Sequence, residues 1–232
     1  KDFFNEQKEE IIRAIYSASK ATVKYTPNII EKKDLGKNSI ENKSSKNFVV
    51  IGSSTGGVQI LEEIISKLKE NHIGIVVTQH MPEGFTASFA TRLNKITNSN
   101  VVESKDDESI DVNKVIISKG GIHTEIIKKG DEYFTVLKDY PKINSHKPSA
   151  NALFKSVSKI KPQEITAFIL TGMGDDGALG IKKLKEMGYN TYGQDEESCI
   201  VYGMSNIANQ IGGVNKEVST NEIIEIINSL EG

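Results

Sequence analysis

A serine lies where a strand, a tight turn and a helix are predicted to meet. The apolar residues 48–51 are followed by the pentapeptide Gly-Ser-Ser-Thr-Gly at residues 52–56, and a helical pattern begins directly after it. This is the G-x-S-x-G spacing of a nucleophile elbow, in which flanking glycines relieve crowding around a serine on a strained turn. Ser54 is therefore a candidate nucleophile for acyl transfer.

The same turn has other interpretations. A glycine-rich turn before a helix can bind an anion, because the first N–H groups of the helix are unpaired and lie at the positive end of its dipole. A Walker loop is excluded, since Val58 and Gln59 follow Gly57 where lysine and Ser or Thr are required. A dinucleotide fingerprint is excluded because it needs glycine in place of Ser54 and an acidic residue after the next strand. Two other interpretations of the turn are left: an anion-binding turn of another kind, and a turn with no chemical role.

A histidine and an aspartate follow two further buried-strand patterns. The apolar run at residues 74–78 precedes His80, and the run at residues 166–170 precedes a glycine-rich turn that contains Asp176. The carboxyl ends of parallel strands meet at one edge of a sheet, where ligands bind. We therefore expect one acyl-transfer set, in which His80 takes the proton of Ser54 and Asp176 fixes the imidazole tautomer. The oxyanion donors are expected among the backbone N–H groups near Thr55 or Met173.

Each of these residues also has a structural interpretation. A histidine at the end of a strand is often a surface or hydrogen-bonded structural residue, and Asp175 and Asp176 at a helix start would ordinarily be N-caps. Cys199 is interpreted as a packed thiol, because no histidine is near it in sequence. No metal site is expected, because no two histidines have ligand spacing. The remaining histidines are predicted to be solvated or structural: His72, His123 and His146.

The elements that must position these residues form an α/β pattern. Unbroken apolar strands alternate with amphipathic helices, which is typical of a doubly wound, mostly parallel sheet. Helices are predicted over residues 58–70, 86–97, 149–160 and 178–187, and near residues 206–210 and 221–230. The segments 124–127 and 134–137 flank a Lys-Gly-Asp turn and predict an antiparallel hairpin at an edge of the sheet, together with the short apolar runs 101–102 and 115–117.

Composition restricts the function more by exclusion than by indication. The chain has 232 residues, 37% hydrophobic content and a formal net charge of −2. This charge argues against a nucleic-acid partner or a membrane surface recruited by bulk electrostatics. One cysteine excludes an internal disulfide framework, and no apolar run reaches the roughly 20 residues of a membrane span. No secretory signal is visible, so a cytoplasmic location is expected.

The first 46 residues are predicted to stand apart from the globular domain. Residues 3–20 have the spacing of an amphipathic helix, and residues 26–47 have the polar composition of a linker. The globular domain is predicted at residues 47–232.

Ordered motifs along this domain resemble those of the CheB family, the bacterial chemotaxis protein-glutamate methylesterases. The resemblance covers about residues 47–230 and rests on the segments 51–57, 78–82, 144–149, 170–177 and 197–204. It implies a three-layer α/β/α catalytic domain without a cofactor. It also implies a Ser-His-Asp triad at Ser54, His80 and Asp176, with Thr55 helping to position the histidine and Met173 at the oxyanion site.

The resemblance further implies a substrate and an upstream partner. The family hydrolyses glutamate methyl esters on the cytoplasmic helical bundles of methyl-accepting chemotaxis receptors, and it deamidates certain receptor glutamines. Family members usually carry an N-terminal phosphoacceptor receiver domain, so residues 1–46 are interpreted as the end of such a module plus its linker. Two positions depart from the family pattern: Ser205 replaces an expected proline and Asn151 an expected aspartate. Both are expected at the periphery of the site.

Overall fold

The structure is a computed structural model, and it describes residues 43–231. Ten strands are found in this part of the chain: β1 (Phe48–Ser53), β2 (Gly74–Gln79), β3 (Asn100–Glu103), β4 (Glu108–Ser109), β5 (Lys114–Ile117), β6 (His123–Lys129), β7 (Glu132–Lys138), β8 (Ile165–Ile169), β9 (Asn190–Gln194) and β10 (Lys216–Val218).

The described helices follow the predicted pattern closely. They are α1 (Gly57–Ser66), α2 (Phe85–Ile96), α3 (Ala150–Val157), α4 (Ala178–Glu186), α5 (Met204–Gln210) and α6 (Thr220–Ser229), with a short 3₁₀ helix at Pro162–Glu164. Each α-helix begins within two residues of a predicted start, because the apolar period that predicts a helix also provides the face that it buries.

Seven strands form one parallel sheet in the order β10-β9-β8-β1-β2-β5-β3. β1 lies in the middle of the sheet. The strands β2, β3 and β5 lie on one side of β1, and β8, which follows them in the sequence, lies on the other side. The strand order therefore reverses between β1 and β8. Such a reversal leaves a crevice beyond the carboxyl ends of the strands, which is where open α/β sheets bind ligands.

The sheet separates two apolar cores. Along β1, Phe48 and Val50 pack into a core with α3, α4 and α5, whereas Val49 and Ile51 pack into the opposite core with α1, α2 and α6. This alternation is the period of two that a strand imposes on its side chains. The result is a helix layer on each face of a mostly parallel sheet, which confirms the predicted α/β fold.

The predicted hairpin forms, but not at the edge of the parallel sheet. β6 and β7 pair antiparallel and join β4 in a separate three-stranded sheet, in which β6 contacts α3. β3 and β5, which contain the short apolar runs predicted to lie with the hairpin, are instead parallel strands of the main sheet. Burial explains the difference: all four residues of β5 are buried, as in a strand covered on both faces. Along the first five residues of β7, buried positions instead alternate with exposed or partly exposed ones.

The described chain packs on the domain slightly before the predicted boundary. Ser45 is buried, its N–H donates to the Ile110 carbonyl at 3.0 Å and its hydroxyl accepts from the Gly74 N–H at 3.1 Å. The predicted helix at residues 3–20 and most of the predicted linker lie outside the described residues. Within residues 43–231, no helix combines the length and the apolar character needed to cross a membrane.

Candidate active site

Ser54 is held by the two strand ends that flank β1. Its N–H donates to the Thr171 carbonyl after β8 at 3.0 Å, and its carbonyl accepts from the Gln79 side-chain amide at the end of β2 at 2.8 Å. The same carbonyl accepts from the Gly57 N–H at 2.8 Å, which closes the turn into α1. The backbone of Ser54 is therefore fixed at the point where the strand order reverses.

Two glycines allow this turn to form. Gly56 has φ +81, a left-handed conformation that side chains other than glycine rarely adopt, and a Cβ there would lie 2.5 Å from Ile200. Gly172 approaches from the turn after β8, and a Cβ there would lie 2.8 Å from the Cβ of Ser54 and 2.3 Å from the sulfur of Met204. The Ser54 turn and the turn after β8 can pack together only because Gly172 has no side chain.

We expect Gly172→Ala to reduce any hydrolysis that depends on Ser54 by roughly 10²-fold, because a displacement of about 1 Å at a nucleophile has an effect of that size. The added methyl group must push Ser54 or Met204 away. The measurement is the steady-state rate of ester hydrolysis together with the melting temperature. Gly193→Ala is the control for an added methyl group at a glycine, since Gly193 does not have a left-handed backbone and a Cβ there would lie no closer than 3.4 Å to another atom. Equal activity in both variants would contradict the tight approach at Ser54.

His80 and Asp176 are joined directly. His80 Nε2 lies 2.7 Å from Asp176 Oδ2, and the two side chains are 7% and 0% exposed. The turns after β2 and β8 thus bring together two residues that are 96 positions apart in the sequence. Because a carboxylate only accepts hydrogen bonds, Nε2 must carry the proton, and Nδ1 is the nitrogen left to act as a base in the neutral ring.

The Asp176 carboxylate is held by the start of α3. It accepts from the Ser149 hydroxyl at 2.6 Å and from the backbone N–H groups of Ala150 at 2.6 Å and Asn151 at 3.3 Å. Burial by itself raises the pKa of Asp176, but the hydrogen bonds from His80, Ser149 and Ala150 outweigh burial and hold the pKa below the ordinary aspartate value. Asp176 is therefore ionised beside His80 at neutral pH.

The N-cap interpretation of Asp175 and Asp176 is wrong for α4, the helix that follows them. The N-cap of α4 is Gly177, and no side chain caps this helix. Asp176 instead turns back to the first N–H groups of α3, which would otherwise be unpaired. Asp175 is exposed and accepts from the Asn144 side chain at 3.0 Å.

Ser54 and His80 occupy adjacent positions, but no hydrogen bond joins their side chains in the described structure. Ser53 and Gln79 are the last register partners of β1 and β2, so Ser54 and His80 are the next residue on each strand. His80 Nδ1 is buried and has no hydrogen-bond partner among the described residues. His80 thus has an unpartnered ring nitrogen, and its backbone position is next to that of Ser54.

Thr55 and Met173 are both exposed, and the Met173 side chain is 74% exposed. In the part of the chain that the structure describes, their backbone N–H groups donate to no other backbone group. These N–H groups therefore remain available to an oxyanion. Thr55 does not hydrogen-bond to the ring of His80. Of the two ring nitrogens, Nε2 is paired with Asp176, and Nδ1 has no partner among the described residues. The Thr55 carbonyl accepts from the Thr171 hydroxyl at 2.9 Å.

The remaining histidines divide into structural residues and one neighbour of the site. His72 is buried between the Ile73 carbonyl and Ser99, and His123 stacks on Tyr140, as expected for structural residues. His146, in contrast, stacks on His80. Within residues 43–231, no three metal-ligating side chains cluster closely enough to hold an ion. Cys199 is partly buried, and burial raises the pKa of its thiol to about 11, so it is not a thiolate at neutral pH.

Two supporting residues were missed from the sequence. Gln79 accepts from the Ser53 hydroxyl at 2.8 Å and donates to the Ser54 carbonyl, so it connects the nucleophile turn to β2. A buried amide directly before a candidate histidine was the only available signal. Ser149 was expected to introduce a helix, and it does cap α3. Its hydrogen bond to Asp176 depends on tertiary packing, which the sequence pattern does not reveal.

The two departures from the family pattern have local roles. Asn151 donates to the Asn144 side chain at 3.0 Å and accepts from the Gly180 N–H at 2.7 Å; an aspartate could make only the second contact. Ser205 is buried in the first turn of α5 and donates to the Ile169 carbonyl at 3.0 Å. Neither side chain hydrogen-bonds to Ser54, His80 or Asp176.

Comparisons with known proteins identify a family and a similar solved structure. The family model described as CheB methylesterase matches residues 49–227. The crystal structure of the Thermotoga maritima CheB methylesterase catalytic domain is similar, with a TM-score of 0.75 and 36% identity over 78% of this chain and 97% of that chain.

Curated relatives carry the name protein-glutamate methylesterase/protein-glutamine glutaminase. One from Shewanella oneidensis is 38% identical over 98% of this chain and 67% of its own length. Another from Hahella chejuensis is 41% identical over 78% of this chain and 49% of its own length. The chain thus spans between about half and two thirds of these two relatives. On the match over most of its length, the chain belongs to the CheB methylesterase family.

Proposed function

We propose that the chain is a serine hydrolase that removes methyl esters from glutamate side chains of chemoreceptors and deamidates receptor glutamines. The names of the relatives support this activity, and the crevice beyond β1, β2 and β8 supports its location. The observation that carries the proposal is the 2.7 Å contact between His80 Nε2 and the buried Asp176 carboxylate, which leaves His80 Nδ1 without a partner among the described residues.

The first half of the reaction forms an ester on Ser54. The Ser54 hydroxyl oxygen attacks the side-chain ester carbonyl, and His80 Nδ1 takes the hydroxyl proton. The oxyanion accepts hydrogen bonds from backbone N–H groups at Thr55 or Met173. The tetrahedral species then collapses, its bond to the methoxy oxygen breaks, and His80 returns the proton so that methanol leaves.

The second half regenerates the enzyme. Water attacks the glutamyl ester while His80 Nδ1 takes one of its protons, and cleavage of the bond to Ser54 returns that proton to the serine oxygen. Glutamate is released. For a glutamine side chain the first leaving group is ammonia, and the second half is the same. Throughout, the ionised Asp176 stabilises the imidazolium form of His80.

This proposal reverses the two ring nitrogens relative to the triad of chymotrypsin, in which the aspartate binds Nδ1 and the serine binds Nε2. Here Asp176 is on Nε2, so the proton transfers are assigned to Nδ1. The reaction needs one ring nitrogen to contact the aspartate and the other to exchange a proton with the serine, so either arrangement is chemically competent.

The test combines substrate turnover with labelling of the nucleophile. The full chain is incubated with a chemoreceptor cytoplasmic fragment carrying labelled glutamate methyl esters, and released methanol is counted. In parallel, a fluorophosphonate is added and the labelled peptide is located by mass spectrometry. We expect methanol release and a single label on Ser54. A label at another serine, or no methanol release, would contradict the proposal.

Together with a comparison of other esters and amides and a thermal-shift measurement, the labelling separates the alternatives left open by the sequence. A serine hydrolase with another substrate would label at Ser54 but would prefer other esters or amides to the receptor fragment. A phosphate- or nucleotide-binding module would be stabilised thermally by those ligands and would not label. A cytoplasmic location follows from the proposed substrate, and regulation by an upstream receiver domain stays a prediction.

A further inference from the structure

One face of the His80 ring is covered by a second imidazole. The rings of His80 and His146 are nearly parallel, with an interplanar angle of 9° and centroids 3.7 Å apart. The edge of His80 is fixed by the Asp176 carboxylate. A hydrogen bond at one nitrogen still permits the His80 ring to tilt. The stacked ring of His146 restricts this tilting, which Asp176 alone does not.

His146 lies at the end of a tight turn. Residues 143 and 146 exchange both backbone hydrogen bonds, at 3.1 and 2.8 Å, around a two-residue loop. The loop residues Asn144 and Ser145 have φ of 47 and 67, the left-handed pair of a type I′ turn. Non-glycine residues in this conformation cost free energy, and such strain concentrates at functional sites.

The turn is fastened to the segments that also hold Asp176. The Asn144 amide donates to Asp175 at 3.0 Å, in the turn after β8, and its oxygen accepts from Asn151 at 3.0 Å, at the start of α3. Asp176 belongs to the same turn and accepts from the start of the same helix. The two groups that contact the His80 ring, Asp176 and His146, are therefore held by the same hydrogen-bonded segments.

The His146 ring is held in its uncharged form at neutral pH by its surroundings. Burial lowers the pKa of His146, and the positive charges of a protonated His80 and of Lys142 lower it further, against the opposing effect of Asp176 and Asp175. The His80 ring, in contrast, must become a cation in each proton transfer. A neutral π face stacked on a developing cation attracts the charged form more than the neutral form. Only an interaction that strengthens in this way speeds the chemical step.

We propose that His146 is a positioning residue for the reaction: its ring holds the His80 imidazole in the plane that directs Nδ1 toward Ser54, and it favours the imidazolium by stacking. This inference rests on the proposed function. It assigns His146 no proton transfer and no contact with the substrate.

Three variants test the inference on the full chain with the methylated receptor fragment. We expect His146→Ala to lower kcat roughly tenfold with KM changed less than about twofold, because stacking acts on His80 and not on substrate binding. His146→Phe keeps a π face and cannot titrate, so it should retain most of kcat. Ser145→Gly is the control from the same turn, since glycine adopts φ 67 without strain, and it should match the wild type.

A second readout does not depend on activity. In ¹⁵N-labelled protein, the Nε2 proton that bridges His80 and Asp176 should give a downfield resonance in the wild type and in His146→Phe. In His146→Ala we expect it to broaden or disappear, because the ring is no longer held. Circular dichroism checks that each variant is folded; His146 is only partly buried on a surface turn, so its loss should not unfold the domain.

The inference is overturned if kcat of His146→Ala stays within about twofold of the wild type, if His146→Phe is as impaired as His146→Ala, or if the resonance is unchanged in His146→Ala. A wild-type chain that releases no methanol contradicts the proposed function instead. The two failures are therefore distinguishable.

Discussion

Replacement of Ser54 by alanine is expected to lower methanol release by roughly 10⁴- to 10⁶-fold, the range seen when the nucleophile of a serine hydrolase is removed. The hydroxyl of the neighbouring Ser53 cannot take its place, because it is buried and donates to Gln79 at 2.8 Å. The backbone contacts of residue 54 do not involve its hydroxyl, so the turn should persist. The measurement is labelled methanol released from the methylated receptor fragment.

The matched control is Ser66→Ala at the far end of α1, where the hydroxyl donates only to the Glu63 carbonyl. It should retain wild-type turnover. Both variants should melt within a few degrees of the wild type, since neither removes buried apolar area. A Ser54→Ala protein that keeps most of the rate would exclude the covalent mechanism, whatever the outcome for the control.

The sequence predicts the residues at the strand ends well because continuous apolar runs define buried parallel strands. β1, β2 and β8 are such runs, and the general rule for open α/β sheets then places Ser54, His80 and Asp176 at one edge. This rule predicts which residues lie near one another, but not how their side chains are oriented. The sequence could not tell which nitrogen of His80 faces Asp176, because ring orientation depends on how the turns pack.

The contacts that support the site were harder to predict, because they join segments that are far apart in the sequence. Ser149 and Ala150 lie 27 and 26 residues before Asp176 and meet it only when α3 packs beside β1 and α4. The stack of His146 on His80 likewise requires the turn at residues 143–146 to fold back over the site. A pattern of single residues predicts the helix that begins at Ala150, but not the carboxylate that its first N–H groups will bind.

The pairing of short strands was also beyond the sequence pattern. β3 and β5 have only four residues each, too few for the sequence pattern to distinguish a parallel from an antiparallel strand. Only the packing of the whole sheet decides it, because β5 must lie between β2 and β3 to cover both cores.

A second large effect is expected for Asp176→Asn, which should lower kcat by roughly 10³- to 10⁴-fold. If the new amide NH₂ group faces His80, it donates to Nε2, the ring proton moves to Nδ1, and Nδ1 can no longer take the proton of Ser54. If the amide is reversed, its NH₂ group faces the Asn151 N–H, which the carboxylate accepted at 3.3 Å. In either orientation the negative charge that stabilises the imidazolium is lost.

Stability against pH gives Asp176→Asn a second, independent readout. Because hydrogen bonds from His80 and Ser149 outweigh burial and lower the pKa of Asp176, ionisation of this group stabilises the folded state. That contribution is complete above the ordinary aspartate pKa of about 4 and is lost as the pH falls through the lowered pKa of the folded protein. The free energy of unfolding of the wild type should therefore exceed that of the variant at neutral pH, and the difference should shrink in acid.

Asp175→Asn is the matched control, since its side chain is exposed and an asparagine keeps the oxygen that accepts from Asn144. Its rate should stay within about threefold of the wild type, and its free energy of unfolding at neutral pH should be close to that of the wild type. If Asp176→Asn also retained its rate, the buried carboxylate would be a structural cap of α3 and nothing more. If the rate fell but the stability difference did not depend on pH, Asp176 would not be held ionised by its four donors. The proposed orientation of His80 would then need another cause.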